Sequence, residues 1–182
     1  MVRAPVEMKT LLSLIMVMAL VIPAASQKTF PTMTGEMANG QELTLPRDLT
    51  RKHTIIGLAY SPKASSHLEE WLEPAYLRFV AQHGLFAGEY DADIYFIPVF
   101  VGLNKSAYEP SLKKFRKSAS PEIEQHVLFS KEDMAPVKEI LDLDEKDIPY
   151  FFVLDRSGRV IHRTQGAFSE DKLEAIENVL LD

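Results

Sequence analysis

Ser66, His67, Glu69 and Glu70 supply the residue types of a hydrolytic site: a hydroxyl nucleophile, an imidazole base and carboxylates to orient it. Their spacing argues against that chemistry. Residues one apart on a helix do not face each other, and the chain has no Gly-x-Ser-x-Gly elbow to expose a serine. The same stretch reads as a helix start, with Ser65 or Ser66 as the cap and Glu69 and Glu70 near the positive helix end. The histidines, His53, His67, His83, His126 and His162, show no His-x-x-x-His spacing. A metal site would have to be assembled by the fold, so no metal or other cofactor is expected. Glu89, Asp91 and Asp93 alternate as in a calcium loop, but the Gly and the distal Glu of such a loop are missing. They read as a polar lead into a strand.

The chain contains no cysteine. Disulfide exchange, peroxide reduction through a sulfenic acid and thiolate metal binding are therefore all excluded.

The elements that must position any site are clearer. His53–Tyr60 (HTIIGLAY) is a β-branched apolar run, expected as a strand buried on both faces. A helix follows through Leu68, Trp71, Leu72, Ala75 and Phe79, with Pro74 inside it and His83-Gly84 at its end. Trp71 and Phe79 read as core. Asp93–Val101 is a second central strand, which Pro98 should either end near Ile97 or occupy at an exposed N–H position. Pro110–Ser118 is a short helix after a loop over Gly102–Glu109, and His126–Phe129 reads as a short edge strand. Glu132–Leu141 is a further helix. Ahead of all this, Phe30–Pro46 is a turn-rich lead-in in which Glu42–Leu45 can form a strand. At the other end, Pro149 opens a buried strand over Tyr150–Leu154. A turn at Asp155-Arg-Ser-Gly158 and a strand over Arg159–Thr164 follow. Ser169 caps a closing helix whose Leu173, Ile176 and Leu180 share one face.

The order Ile-Pro, strand, turn, strand, Gly, helix resembles the C-terminal half of the thioredoxin-like fold. With the alternating strands and helices before it, most of residues 30–181 resembles that α/β superfamily: a central mixed sheet flanked by helices on both faces. The lead-in and inserted helix are typical of its redoxin and peroxiredoxin-like branches. Members carry their reactive cysteines at the start of the first helix. Counting on from HTIIGLAY puts that place at Lys63-Ala-Ser-Ser66, and counting back from Pro74 puts it at Ser66-His-Leu-Glu69. Neither contains a thiol. The resemblance also implies a cis Ile148–Pro149 bond facing the helix start. Glu70-Trp-Leu-Glu-Pro74, Phe115-Arg-Lys-Ser-Ala-Ser-Pro-Glu122 and Tyr150-Phe-Phe-Val-Leu-Asp-Arg-Ser-Gly-Arg159 further resemble a mitochondrial ATP synthase assembly factor family. Its members share the fold and act as assembly chaperones rather than redox enzymes.

Residues 1–26 have the form of a signal peptide. Arg3 and Lys9 precede an apolar run over Leu11–Ile22, and Pro23, Ala24 and Ser26 make a cleavage site before Gln27. The run, about 12 residues, is short of the roughly 20 that span a bilayer. With no cysteine after it, a lipoprotein anchor is excluded. The expectation is an exported protein, periplasmic or extracellular, of one domain over residues 27–182, with no stable membrane span after cleavage. Without Arg3, Glu7 and Lys9 the net charge moves from −6 to −7, which gives no reason to expect nucleic acid as a partner. The basic group Lys113, Lys114, Arg116 and Lys117 reads as a solvated helix face.

These readings favour a non-redox binding, assembly or chaperone module over an enzyme. The surface that the resemblance implies is formed by Lys63, Ser65, Ser66, Ile148 and Pro149. There the helix N-terminus and the backbone edge at Ile148 would hold an extended, acidic segment of a partner protein. Two alternatives remain: an enzyme using Ser, His or Lys in the same cleft, and a degenerate redoxin with a relic cleft.

Overall fold

The computed structural model describes residues 28–81 and 90–181. The expected signal segment, His83-Gly84 and Glu89 lie outside them. Strands β1 (Met33–Met37) and β2 (Glu42–Leu45) form an antiparallel hairpin from the lead-in. Then come β3 (His53–Ala59), α1 (Pro62–Phe79), β4 (Ala92–Pro98), α2 (Tyr108–Ser118), the single turn α3 (Pro121–Glu124), β5 (Leu128–Phe129) and α4 (Met134–Leu141). The chain closes with β6 (Tyr150–Asp155), β7 (Val160–Gln165) and α5 (Glu170–Leu181).

One sheet has the order β4-β3-β6-β7, with β3 parallel to β4 and antiparallel to β6. A second has the order β2-β1-β5. Parallel bridges Phe96↔Val127 and Val99↔Ser130 join the two at β4. The expected edge strand at His126–Phe129 is thus no edge. It sits between β1 and β4, because both neighbours find its backbone groups: Phe96 N donates to His126 O at 2.8 Å, and β1 takes the other side through Glu36↔Phe129.

Every residue of β3 is buried, as its unbroken apolar pattern requires. Alternate residues feed two cores. Ile55, Phe96, Phe151 and Val153 pack under Trp71, Phe79, Leu173 and Ile176 of α1 and α5. Ile56, Ile97, Phe152 and Leu154 pack under Phe30, Met33 and the α4 residues Met134, Val137 and Leu141. Gly57 keeps α1 close to the sheet, since a Cβ there would lie 2.6 Å from Phe151 Cε1 and 2.9 Å from Leu68 Cδ1. β4 runs through Pro98, and pairing continues just past it, Val99 N donating to Ala59 O at 2.7 Å. A 3-10 turn (Gly102–Ala107) then leads directly into α2, which starts at Tyr108 rather than Pro110.

The Asp155–Gly158 turn forms as expected, with Gly158 at φ +80°. The Ile148–Pro149 bond does not: it is trans, and the cis bond among the described residues is Leu45–Pro46. Trans is the lower state of an X–Pro bond by about 0.5–1 kcal/mol. Here the trans bond leads Pro149 straight into the sheet, its carbonyl accepting from Gly166 N at 2.8 Å.

Candidate functional site

The start of α1 decides what this end of the sheet can offer a ligand. Ser61, not Ser65 or Ser66, is the cap. It has extended backbone angles, φ −142° and ψ 160°, and its Oγ accepts from Ala64 N at 3.1 Å. Its carbonyl accepts from Ser65 N at 2.9 Å. Pro62 at the first helical position has no N–H and is pre-set for a helix. The helix start therefore leaves at most the Lys63 N–H for a ligand, and the free N–H groups expected near Ser65 and Ser66 are already satisfied. Ser66 turns back on its own helix, Oγ donating to Pro62 O at 3.2 Å. His67 Nδ1 lies 3.4 Å from Glu70 Oε2. Lys63 stands exposed.

The Leu58↔Tyr150 register brings the start of β6 to the same end of the sheet. The Tyr150 hydroxyl accepts from Glu145 N at 2.7 Å and lies 2.9 Å from Glu145 O, while Tyr60 Oη donates to that same carbonyl at 2.8 Å. Burial, with Tyr150 beside it, pushes the Tyr60 hydroxyl up to about 12. These two tyrosines fasten Glu145, in the acidic segment Asp142–Asp147 ahead of Ile148. Pro149 is buried, and Ile148 is half-buried against the second core.

The concave feature at this end opens elsewhere. A groove of about 500 Å³ runs between the first turns of α1, the end of β4 and α2. Ser61, Pro62 and Ser65 line its α1 side, with Leu68, Leu72 and Glu69 further along. Phe96, Val127 and Phe129 make its floor, and Phe100, Asn104, Ser111, Lys114, Phe115 and Ser118 its far wall. The aromatic rings hold one another. Phe100 stacks on Phe129 at 5.9 Å and 12°, and Phe115 packs on Phe129 at 5.6 Å. Of the five residues expected to form a cleft, Ser65 lines this groove; Lys63, Ser66, Ile148 and Pro149 do not. The hydrolytic set fails the same test, since neither Ser66 nor His67 lines it.

Sequence reasoning missed the groove because its aromatic residues come from β4, the segment after it, α2 and β5, in no common period. The one available signal was Phe100 and Phe115, two aromatics outside any buried strand. Among the described residues no cluster of three His, Asp or Glu could hold a metal ion. Asp91 and Asp93 are engaged by the turn before β3: Asp91 Oδ2 accepts from Lys52 N at 3.2 Å, and Arg51 reaches both carboxylates at 3.4 and 3.8 Å.

A central β4-β3-β6-β7 sheet, a β3-α1-β4 crossover and a closing β6-β7-α5 unit decide the architecture, and solved structures agree. The chain has the thioredoxin-like fold. It is similar to a thiol:disulfide interchange protein from Bacteroides sp., at 16% identity over 87% of this chain and 91% of that one, with a TM-score of 0.55. It is similar also to a thioredoxin family thiol:disulfide interchange protein from Chlorobium tepidum, at 18% identity over 87% and 99% of the two chains, TM-score 0.51. BsSco, a member of the Sco family of cytochrome c oxidase assembly proteins, matches at 11% identity over 84% and 94%, TM-score 0.53. No protein-family model matches the sequence, and no curated protein does. This thioredoxin-like chain differs from a thiol:disulfide exchanger in the chemistry it can do, because it has no cysteine anywhere.

Proposed function

We infer that this is an exported, non-redox thioredoxin-like protein that holds a segment of a partner protein, as a binding or assembly module. The carrying observation is that an aromatic-floored groove of about 500 Å³ stands open beside the α1 start in a chain without a single thiol. A groove of that size suits a few side chains of a partner. Two of the three segments that resemble the ATP synthase assembly factor family border it: Leu72 comes from Glu70–Pro74, and Phe115 and Ser118 from Phe115–Glu122. A neighbour of the same fold is itself described as an assembly protein. The Ile148 edge, whose N–H and C=O carry no hydrogen bond among the described residues, is a second place for an extended chain to pair.

A photo-crosslinking residue at Ser65 tests this in the producing cell, with one at the exposed Glu139 on α4 as control. One recurrent protein joined from position 65 and absent from position 139 supports the reading. Adducts shared by both positions, or none from position 65, refute it. Mass spectrometry of exported material should find a chain beginning at Gln27.

A further inference from the structure

We propose that the groove selects partner segments in which a large apolar side chain is flanked by carboxylates, the acidic part lying across α2. This rests on the binding reading above and names the partner's chemistry. The groove supplies an apolar floor from Phe96, Phe129 and Val127, but its two lips differ in charge: Lys114 stands on the α2 side and Glu69 on the α1 side. Lys113 and Lys117 continue the basic side over the outer surface of α2, around a second, shallower depression that Glu109, paired with Lys131 at 3.7 Å, also borders. None of the three lysines is in an ion pair among the described residues, whereas their neighbour Arg116 is taken by Glu36 at 2.6 Å. Lys113 and Lys117 are four apart and Lys114 and Lys117 three apart, so they repel one another along one helix face. The negative end of the helix offsets this for Lys117, in the last turn, much less for Lys113 and Lys114. Carboxylates laid over α2 would relieve that repulsion, while the same carboxylates over α1 would meet Glu69. The two lips therefore set the direction of the segment as well as its sign. This basic surface stands against the overall charge of the exported chain, −7 without Arg3, Glu7 and Lys9.

Three fluorescein-labelled peptides test this against the purified protein: GDDFLDDG, its basic counterpart GKKFLKKG, and GDDSSDDG without the apolar pair. The first should bind about tenfold or more tighter than the other two, a difference in the range of one or two charge-assisted contacts. The double variant Lys114→Glu, Lys117→Glu should remove that preference, while Ser65→Trp, which narrows the groove, should abolish binding of all three. Both variants sit on exposed or half-exposed positions, and their urea midpoints check that they fold. Equal binding of GDDFLDDG and GKKFLKKG, unaffected by the lysine changes, would overturn the charge assignment and leave the groove reading standing. Binding that Ser65→Trp leaves intact, or no binding by any peptide, would overturn both.

Discussion

Trp71 Nε1 donates to the carbonyl of Gly166 at 3.1 Å, tying the middle of α1 to the turn after β7. The indole is fully buried, its centroid 4.1 Å from that of Phe151 and 5.3 Å from that of Phe168. One side chain thus links the first helix, the central sheet and the approach to α5. Trp71→Phe, which keeps most of the packing, should cost about 1–3 kcal/mol through the unpaired Gly166 carbonyl. Trp71→Ala should cost about 3–5 kcal/mol. Urea unfolding measures both; a Phe variant as stable as wild type would show the bond to be dispensable.

Gly57→Ala forces a methyl group into the space that Phe151 and Leu68 occupy at 2.6 and 2.9 Å. α1 must move off the sheet or the ring must turn. A loss of about 1–3 kcal/mol is expected from such overpacking. Thermal unfolding reads it directly, and an unchanged midpoint would mean that α1 does not sit as close as described.

Burial lowers the affinity of His53, His126 and His162 for a proton. The strongest geometric case is His126, 8% exposed, with Nδ1 3.0 Å from Ile94 O and no partner for Nε2. The carbonyl can only accept, so Nδ1 carries the hydrogen and Nε2 is bare. Because the folded values lie below the unfolded one of about 6.5, the unfolded chain takes up protons first as pH falls. Stability should be at its plateau above that pH and decline below it. His126→Gln should make the decline shallower over pH 5–7 in a urea series. A wild-type midpoint independent of pH across that window would contradict the burial of these rings.

Asp155 behaves in the opposite sense. Burial raises its carboxyl, but the bonds it accepts outweigh that and hold it at about 2. They come from Ser157 Oγ at 2.6 Å, Ser157 N at 2.8 Å, Arg159 N at 3.0 Å and Arg159 Nε at 2.7 Å. A depressed acid stabilises the fold above its unfolded value of about 3.9, and this contribution fades as pH drops toward 2. At neutral pH, Asp155→Ala should cost about 1–3 kcal/mol and loosen the β6–β7 turn. Amide exchange at Ser157 and Arg159 should rise in the variant; unchanged protection would sink this account.

Much of this protein was legible along the chain because the forces involved are local. The unbroken apolar run of HTIIGLAY can only be a strand covered on both faces, and β3 is buried throughout. Asp155 and Gly158 specify their turn by side-chain reach and by a positive φ, and the three-four spacing of Leu173, Ile176 and Leu180 specifies the buried face of α5. The missing thiol excluded thiol redox chemistry without any coordinates. Even the start of α1 was written in Ser61-Pro62, a cap followed by a proline at the first helical position, although Ser65 and Ser66 offered equally good caps to a one-dimensional reading. Tertiary structure alone decided the rest. β5 takes its place between β1 and β4 because two distant segments complete its hydrogen bonds, and no local pattern encodes that. The groove exists because Phe96, Phe100, Phe115 and Phe129, separated by up to 33 positions, converge beside the α1 start. Convergence of this kind depends on the crossover and the sheet order, which is why, of the residues expected to form a cleft, Ser65 alone lines the groove.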